Sequence, residues 1–213
     1  MYRMNKKRVL VACEFSGVVR EAFKAHGWNA WSCDILPTEI PGQHLQCNVL
    51  DILDEGWDMM IAHPPCTYLT VSGNRWMKPE YKDRFPDRQQ HRAEALLFVK
   101  QLMGSSIEKI AIENPIGIIS SHIRKPEQII QPFQFGEPHA KQTCLWLKNL
   151  PKLVPTKVVE PQYYIYKDGR RDPLWHMETM KLKPLERMKE RSRTFKGIAD
   201  AMAEQWTDYI NNL

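Results

Sequence analysis

The stretch "RVLVACEFSGVVREAFKAHGWNAWSCD", residues 8–34, decides the fold of this chain. It opens with a short apolar run rich in β-branched residues, which predicts a buried strand over 8–13. Apolar side chains on one helical face, closed by Gly27, then predict a helix. A second strand follows and ends at Asp34. Because a helix connects them, the two strands are expected to run parallel as a right-handed crossover unit.

The same alternation continues along the chain. Short elements are predicted at 44–52, 58–63 and 107–114, and a helix at 88–104 lies between the last two. Two further strands, at 127–136 and 141–150, are predicted to form an antiparallel pair. We therefore predict an α/β fold in which a mainly parallel, Rossmann-like sheet carries an antiparallel strand pair at its end.

The remaining part of the chain has less periodicity. Residues 149–194 are rich in proline, lysine and arginine, which predicts an irregular, basic segment within one domain that spans 1–213. Aromatic residues gather at 163–166 and 173–177, either as platforms on which bases stack or as anchors of a long loop. An amphipathic pattern over 195–211 predicts a final helix that packs on the sheet.

The composition is that of a globular protein, with 43% hydrophobic and 26% charged residues. The apolar run near the N-terminus ends at Glu14, too short for a signal peptide, and no run reaches membrane-spanning length. A cytoplasmic location without a membrane partner is the expectation. The net charge is +5, and the positive excess between Lys181 and Lys196 includes Arg191 and Arg193. A solvated helix face and a phosphate-facing patch both explain this excess.

The five cysteines favour free thiols over disulfides or a metal site. Their number is odd and no C-x-x-C pair occurs, which is typical of a protein in a reducing compartment. His63 with Cys66, and His139 with Cys144, could each supply two ligands, but neither pair has a second pair at ligand spacing. No metal site is therefore predicted.

Polar residues stand where the predicted parallel strands end. The carboxyl ends of such strands share one edge of the sheet, and ligands bind there. We expect side chains that are distant in sequence to meet at this edge. They are Glu14, Asp34, His63 with Cys66, and Glu113 with Asn114.

The turn after the first strand indicates the kind of ligand. Only Gly17 is present where a dinucleotide fingerprint needs G-x-G-x-x-G, and no Walker lysine follows. The turn is therefore not built for a pyrophosphate. A carboxylate at the end of the second strand, Asp34, is placed to accept hydrogen bonds from ribose hydroxyls. A nucleoside ligand without a phosphate, such as S-adenosylmethionine, is favoured.

The stretch His63-Pro64-Pro65-Cys66 interrupts the strand at 58–63. Neither proline has an amide hydrogen for a sheet ladder, so Cys66 is presented on a stiff turn just past a buried strand. From the residues alone, Cys66 is a nucleophile, a metal ligand or a small buried hydrophobe. His63 either orients the turn or caps the strand.

In this order, the motifs resemble those of the cytosine-5 DNA methyltransferases. Phe15-Ser16-Gly17 is similar to the F-x-G cofactor loop, Pro65-Cys66 to the nucleophile loop, and Glu113-Asn114 to the E-N pair of that family. "FKGIADAMAEQW", from Phe195 to Trp206, resembles the last motif, a helix that closes the cofactor site. The resemblance implies the Rossmann-like fold of S-adenosylmethionine-dependent methyltransferases.

The resemblance also implies roles for single residues. Cys66 would attack carbon 6 of cytosine, and Glu113, with a raised pKa, would assist at ring nitrogen 3. The substrate would be DNA, and S-adenosylmethionine the cofactor. The cofactor residues would be Phe15, Ser16, Gly17, Asp34, Asn48 or Asp51, and Pro65. The substrate residues would be Asn114, which holds the loop or the base, Lys141, Arg191 and Arg193.

The chain also departs from the family. Val18 and Val19 replace two glycines of the cofactor loop, and the arginine-bearing strand motif is absent, with Lys141 or Lys148 as its substitute. Residues 149–190 are too few for a target recognition domain of usual size. A single-stranded nucleic acid or a free pyrimidine nucleotide is therefore an alternative substrate. A small enzyme of this kind fits a phage or mobile element.

Two other functions use the same residues differently. The H-P-P-C turn resembles the D/N-P-P-Y/F loop of methyltransferases that act on exocyclic amino groups, with no covalent adduct. A non-catalytic relic that binds nucleic acid through its basic last third is the other alternative.

Overall fold

A seven-stranded sheet forms the centre of the protein, in a computed structural model that describes residues 6–213. Across the sheet the strand order is β3-β2-β1-β4-β5-β7-β6. β7 runs antiparallel to both of its neighbours, and the other pairs are parallel. The predicted α/β, Rossmann-like fold with an antiparallel pair at its end is confirmed. The strands are β1 (Arg8–Ala12), β2 (Asn29–Asp34), β3 (His44–Gln46), β4 (Met59–Ala62), β5 (Lys109–Pro115), β6 (Gln128–Ile130) and β7 (Thr143–Lys148).

Helices cover both faces of this sheet, so its central strands are apolar on both sides. Val9 and Val11 of β1 pack against helices on one face, and Leu10 and Ala12 pack against the other, because successive side chains alternate. The first face is covered by α1 (Val18–Ala25) and α6 (Lys196–Asn211), and the second by α2 (Arg88–Met103) and α3 (Ile119–His122).

The predicted C-terminal helix is α6, and two indole hydrogen bonds tie it to the residues just before β2 and just after β7. Trp206 is fully buried, and its Nε1 donates to the carbonyl of Pro151 at 3.0 Å. Trp28 donates from Nε1 to Thr207 Oγ1 at 2.8 Å. The helix therefore returns the end of the chain to the first crossover unit.

The segment over 149–194 is more ordered than its sequence pattern predicts. It contains a hairpin, β8 (Tyr163–Ile165) with β9 (Arg171–Pro173), and two helices, α4 (Leu174–Met180) and α5 (Pro184–Ser192). Pro184 suits the first position of α5, where an amide hydrogen has no partner. These elements are short and α5 buries no residue, so hydrophobic periodicity could not reveal them.

Two kinds of feature are absent from the described part of the chain. Within 6–213 no helix combines the length and apolar character needed to cross a membrane. The same residues contain no group of three histidine, cysteine or acidic side chains that could hold a metal ion. The first five residues of the predicted domain lie outside the described range.

Candidate active site

The polar residues predicted at the strand ends do meet at one edge of the sheet. β1, β2, β4 and β5 are parallel neighbours, with Ala12 beside Cys33 and Ala62, and Ala62 beside Ile112. One residue further along β4 and β5 come His63 and Glu113, so these side chains stand next to each other. The strand-end rule therefore predicted where these side chains lie.

Glu14 is buried beneath the N-terminal end of α1 and accepts hydrogen bonds from the amides of its first turn. Its buried carboxylate accepts from the amides of Val19 at 2.6 Å and Arg20 at 3.2 Å, and from Ser16 Oγ at 3.3 Å. Burial raises the pKa of Glu14, although the charge of His63 and the two amides oppose that change. Because a carboxylate already uses these amides, the helix start cannot take a pyrophosphate. The sequence pattern alone does not indicate this role of Glu14.

Asp34 is the carboxylate at the end of the second strand of the first crossover. It is half-buried at the end of β2, and only its Oδ1 accepts a hydrogen bond from the described residues, from Leu36 N at 2.9 Å. Burial raises the pKa of Asp34, opposed by that amide and by the charge of His44. The free Oδ2 can accept from a ribose hydroxyl, which fits a nucleoside cofactor.

The other predicted cofactor residues occupy different positions. Phe15 and Gly17 are buried in the first turn, where Gly17 adopts the left-handed conformation at φ 79°. Asn48 uses its side-chain oxygen to cap the 3₁₀ helix over 49–52, whereas Asp51 is exposed. Of these two alternatives for a cofactor contact, Asp51 has the exposed carboxylate. Pro65 is exposed on the turn before the cysteine.

A buried arginine, which sequence reasoning missed, fixes the loop beside Asp34. Arg20 has no exposed surface, and it donates to Ser32 Oγ at 2.9 Å and the carbonyl of Ile40 at 2.6 Å. Its Nε also pairs with Glu21 at 3.0 Å. The sequence did contain a signal for this buried arginine, because Arg20 stands among the apolar residues of the predicted helix. The loop over 35–42 is therefore held over the end of β2.

Asn114 holds the turn that carries the cysteine. It is 1% exposed and donates from Nδ2 to the carbonyl of Pro64 at 2.7 Å. Past the prolines, the carbonyl of Cys66 accepts from the amides of Leu69 at 3.0 Å and Thr70 at 3.1 Å. Of the two roles suggested for Asn114, the structure shows the one in which it holds the loop.

The Cys66 thiol is half-buried, in surroundings that disfavour its thiolate form. Burial raises its pKa, and the negative charge of Glu113 raises it further, while the positive charge of Lys141 lowers it. All five cysteines are free thiols. A reaction through Cys66 would therefore need its proton to be removed as the substrate binds.

Glu113 is paired with His63, and this changes the expected behaviour of its carboxyl group. His63 Nδ1 lies 3.1 Å from Glu113 Oε2, and the two side chains are 7% and 16% exposed. Burial by itself would raise the pKa of Glu113, but the hydrogen bond and charge of His63, with the charge of Lys141, lower it overall. The predicted raised pKa is wrong, because the opposing partner comes from another strand.

Lys141 lies near the same edge of the sheet, and its side chain is surrounded by aromatic rings. Its Nζ donates to the carbonyl of Arg191 at 3.1 Å and lies 5.4 Å from the ring centre of Trp175 and 5.5 Å from that of Phe195. His139 packs against both rings. The aromatic group over 173–177 is thus an anchor that packs on the domain.

Lys148, the other substitute for the missing arginine motif, points elsewhere. β7 is antiparallel to β5, so Lys148 pairs with Ile110 near the start of β5. Its Nζ donates to the carbonyls of Ser105 and Ile107 at 3.2 and 2.8 Å. The suggestion that Lys148 serves the site is wrong, and only Lys141 is close to Glu113.

The two predicted substrate arginines are engaged within the protein. Arg191 donates from Nε to Thr179 Oγ1 at 2.9 Å. Arg193 forms two 2.9 Å hydrogen bonds to the carboxylate of Glu39 and also pairs with Glu190. A contact with a phosphate would require these bonds to break, and that role stays a prediction. The Glu39 pair instead joins the loop beside Asp34 to the end of α5.

Comparisons with known proteins add little to this geometry. No protein-family model matches the chain, and no curated protein matches it significantly. Among solved structures it is similar to a methyltransferase of Entamoeba histolytica, EhMeth, at 14% identity and a TM-score of 0.46. The match covers 78% of this chain and 62% of the other. A likeness at this level says nothing about the reaction, which must be argued from the residues.

Proposed function

We propose that this protein is an S-adenosylmethionine-dependent methyltransferase that modifies carbon 5 of cytosine in DNA through a Cys66 adduct at carbon 6. The observation that carries the proposal is the placement of Cys66 on a turn held by Asn114, close enough to Glu113 for the carboxylate to raise the pKa of the thiol. Glu14 and Asp34 stand at the same sheet edge.

One set of residues would bind the cofactor, and a second set would act on the cytosine ring. Asp34, Asp51 and the first turn from Phe15 to Gly17 would hold S-adenosylmethionine, which supplies the methyl group when bound. The internal cap on α1 supports a ligand without phosphate at this position. Pro65 would border the same space.

On the base side, Cys66 loses its proton and the thiolate forms a bond to carbon 6 of the ring. The electron pair of the C5–C6 double bond moves toward nitrogen 3, where Glu113 acts as the acid. This makes carbon 5 nucleophilic. After carbon 5 has been methylated, a base such as water takes the carbon 5 proton, the electron pair of that C–H bond re-forms the C5–C6 double bond, and the sulfur leaves as the thiolate. In duplex DNA the base must leave the stack for this to occur.

The test supplies labelled S-adenosylmethionine together with duplex DNA, single-stranded DNA, RNA or free deoxycytidine nucleotides. We expect label in 5-methylcytosine, and a covalent complex between Cys66 and DNA that contains 5-fluorocytosine. Cys66→Ala should abolish both, whereas Cys47→Ala is the matched control and should retain both. Methyl transfer that survives Cys66→Ala would exclude the covalent route and favour the exocyclic amino reaction.

The same chemistry on single-stranded nucleic acid or a free pyrimidine nucleotide is the second candidate. It is supported by the small size of the hairpin and helices within 149–194, which offer little surface for reading a duplex. The acceptor that takes up label separates the two candidates. Salt-sensitive DNA binding without label in any acceptor would instead favour the non-catalytic alternative.

A further inference from the structure

The side chains of His63 and Glu113 lie at hydrogen-bond distance, in an orientation that would allow a proton to pass between them. The His63 amide donates to the carbonyl of Ala12 at 2.9 Å, which fixes its backbone at the end of β4. Its ring then meets the Glu113 carboxylate at 3.1 Å, with both side chains largely shielded from water. Two neighbouring parallel strands therefore hold the two groups in register.

The role of strand cap does not account for the imidazole. The backbone of His63 already has its partner, and His63 Nε2 is buried without a hydrogen-bond partner among the described residues. A buried polar atom without a partner costs about 1–3 kcal/mol. An apolar side chain would avoid that cost, so packing alone does not explain a histidine here.

The charged and titratable groups around the pair come from four different elements. Two of these groups are carboxylates, two are thiols and one is an amine. These groups are Glu14 after β1, Cys66 on the turn after β4, Glu113 on β5, and Lys141 and Cys144 before and within β7.

We propose that His63 is a positioning residue that holds the Glu113 carboxylate through Nδ1 and passes a proton to it when the pyrimidine ring is attacked. This inference rests on the proposed function. As the thiolate bonds to carbon 6, ring nitrogen 3 takes a proton from Glu113, and Glu113 takes one from Nδ1. The imidazolium becomes neutral imidazole and Glu113 is again a carboxylate. The proton returns by the same path once carbon 5 carries the methyl group.

The first experiment measures the Glu113 carboxyl group directly. Protein with ¹³C-labelled glutamate is titrated, and Glu113→Gln identifies the signal. In wild type the Glu113 pKa lies below its usual value. In His63→Asn and His63→Phe we expect this pKa to rise, because the charge that opposes the effect of burial is then missing. His122→Asn, on the surface of α3, should leave it unchanged. An unchanged Glu113 pKa in both His63 variants would overturn the inference.

The second experiment distinguishes two functions of His63: the hydrogen bond from Nδ1 to Glu113, and the proton that Nδ1 can transfer. Asparagine can still donate a hydrogen bond from the position of Nδ1, but it has no acidic proton to transfer. Phenylalanine can neither donate a hydrogen bond nor transfer a proton. We expect both variants to lose methyl-transfer turnover by roughly 100-fold, with a similar KM for the acceptor. Wild-type turnover in His63→Asn would overturn the proton path. If the wild-type chain methylates nothing, the proposed function fails, while the carboxyl titration still decides whether His63 controls Glu113.

Discussion

Gly117 is the position at which one added methyl group should disable the nucleophile turn. Gly117 lies just past β5, where it pairs with Thr70 in an isolated antiparallel bridge. The next amide, that of Ile118, donates to the carbonyl of Leu69 at 2.8 Å. A Cβ atom on Gly117 would lie 2.0 Å from that carbonyl oxygen. The substitution Gly117→Ala therefore pushes directly on the backbone that follows Cys66.

The size of the effect follows from these contacts. A Cβ atom essentially never lies closer than 3.0 Å to another heavy atom, so the Leu69 carbonyl must move by about 1 Å. The amides of Leu69 and Thr70 bond the Cys66 carbonyl, so the turn moves with it. We expect a loss of about 1–3 kcal/mol in the free energy of unfolding. A displacement of 1 Å at the nucleophile should lower turnover on the order of 100-fold.

Three measurements check this prediction: denaturant unfolding, the rate of Cys66 alkylation by iodoacetamide, and methyl transfer. Gly197→Ala is a matched control, because its Cβ would lie 1.9 Å from the carbonyl oxygen of Phe135, away from the turn. Both variants should lose stability, but only Gly117→Ala should change the alkylation rate. Wild-type stability and alkylation in Gly117→Ala would refute the reasoning, as would equal changes in alkylation in both variants.

Three further variants test the rest of the site. Arg20→Met should lower the free energy of unfolding by about 1–3 kcal/mol and speed amide exchange over 35–42, since it removes the side-chain bonds that hold this loop to Ser32 and Ile40. Asn114→Ala should cost about 1–3 kcal/mol and speed amide exchange in the turn after Pro64; unchanged exchange would contradict the role of Asn114. Glu113→Gln should move the alkylation midpoint of Cys66 to lower pH, because the carboxylate charge raises the thiol pKa; a midpoint at higher pH would contradict this.

The fold could be predicted from sequence where apolar patterns are clear. The first crossover over 8–34 contains a buried strand, a helix and a second buried strand, each with a clear period and an end signal. By contrast, α4 buries only Thr179 and α5 buries no residue, so no apolar stripe marks these two helices. Contacts such as that of Trp175 with Phe195 stabilise this region, and such contacts join residues that a local pattern cannot relate.

The site was predictable in position but not in its electrostatics. The strand-end rule places Glu113 and His63 at one edge, yet it does not say which side chain faces which. That depends on the register of β4 and β5, which sets His63 beside Glu113. The direction of the Glu113 pKa follows from this pairing. Likewise, the bonds of Arg193 to Glu39 join residues 154 positions apart, so the charge pattern over 181–196 gave no sign of them.

The charge at the sheet edge bears on how a substrate would approach. Glu14, Asp34 and Glu113 stand at the ends of three parallel strands, and Lys141 is the cation whose charge reaches Glu113. A nucleic-acid backbone would be repelled by this edge, and the α1 amides that bind phosphate in other folds are already capped by Glu14. Under the proposed function, the phosphates would therefore stay outside the edge while the base alone reaches Cys66. This requirement is met by an extruded base, by a single strand, or by a nucleotide that enters base first.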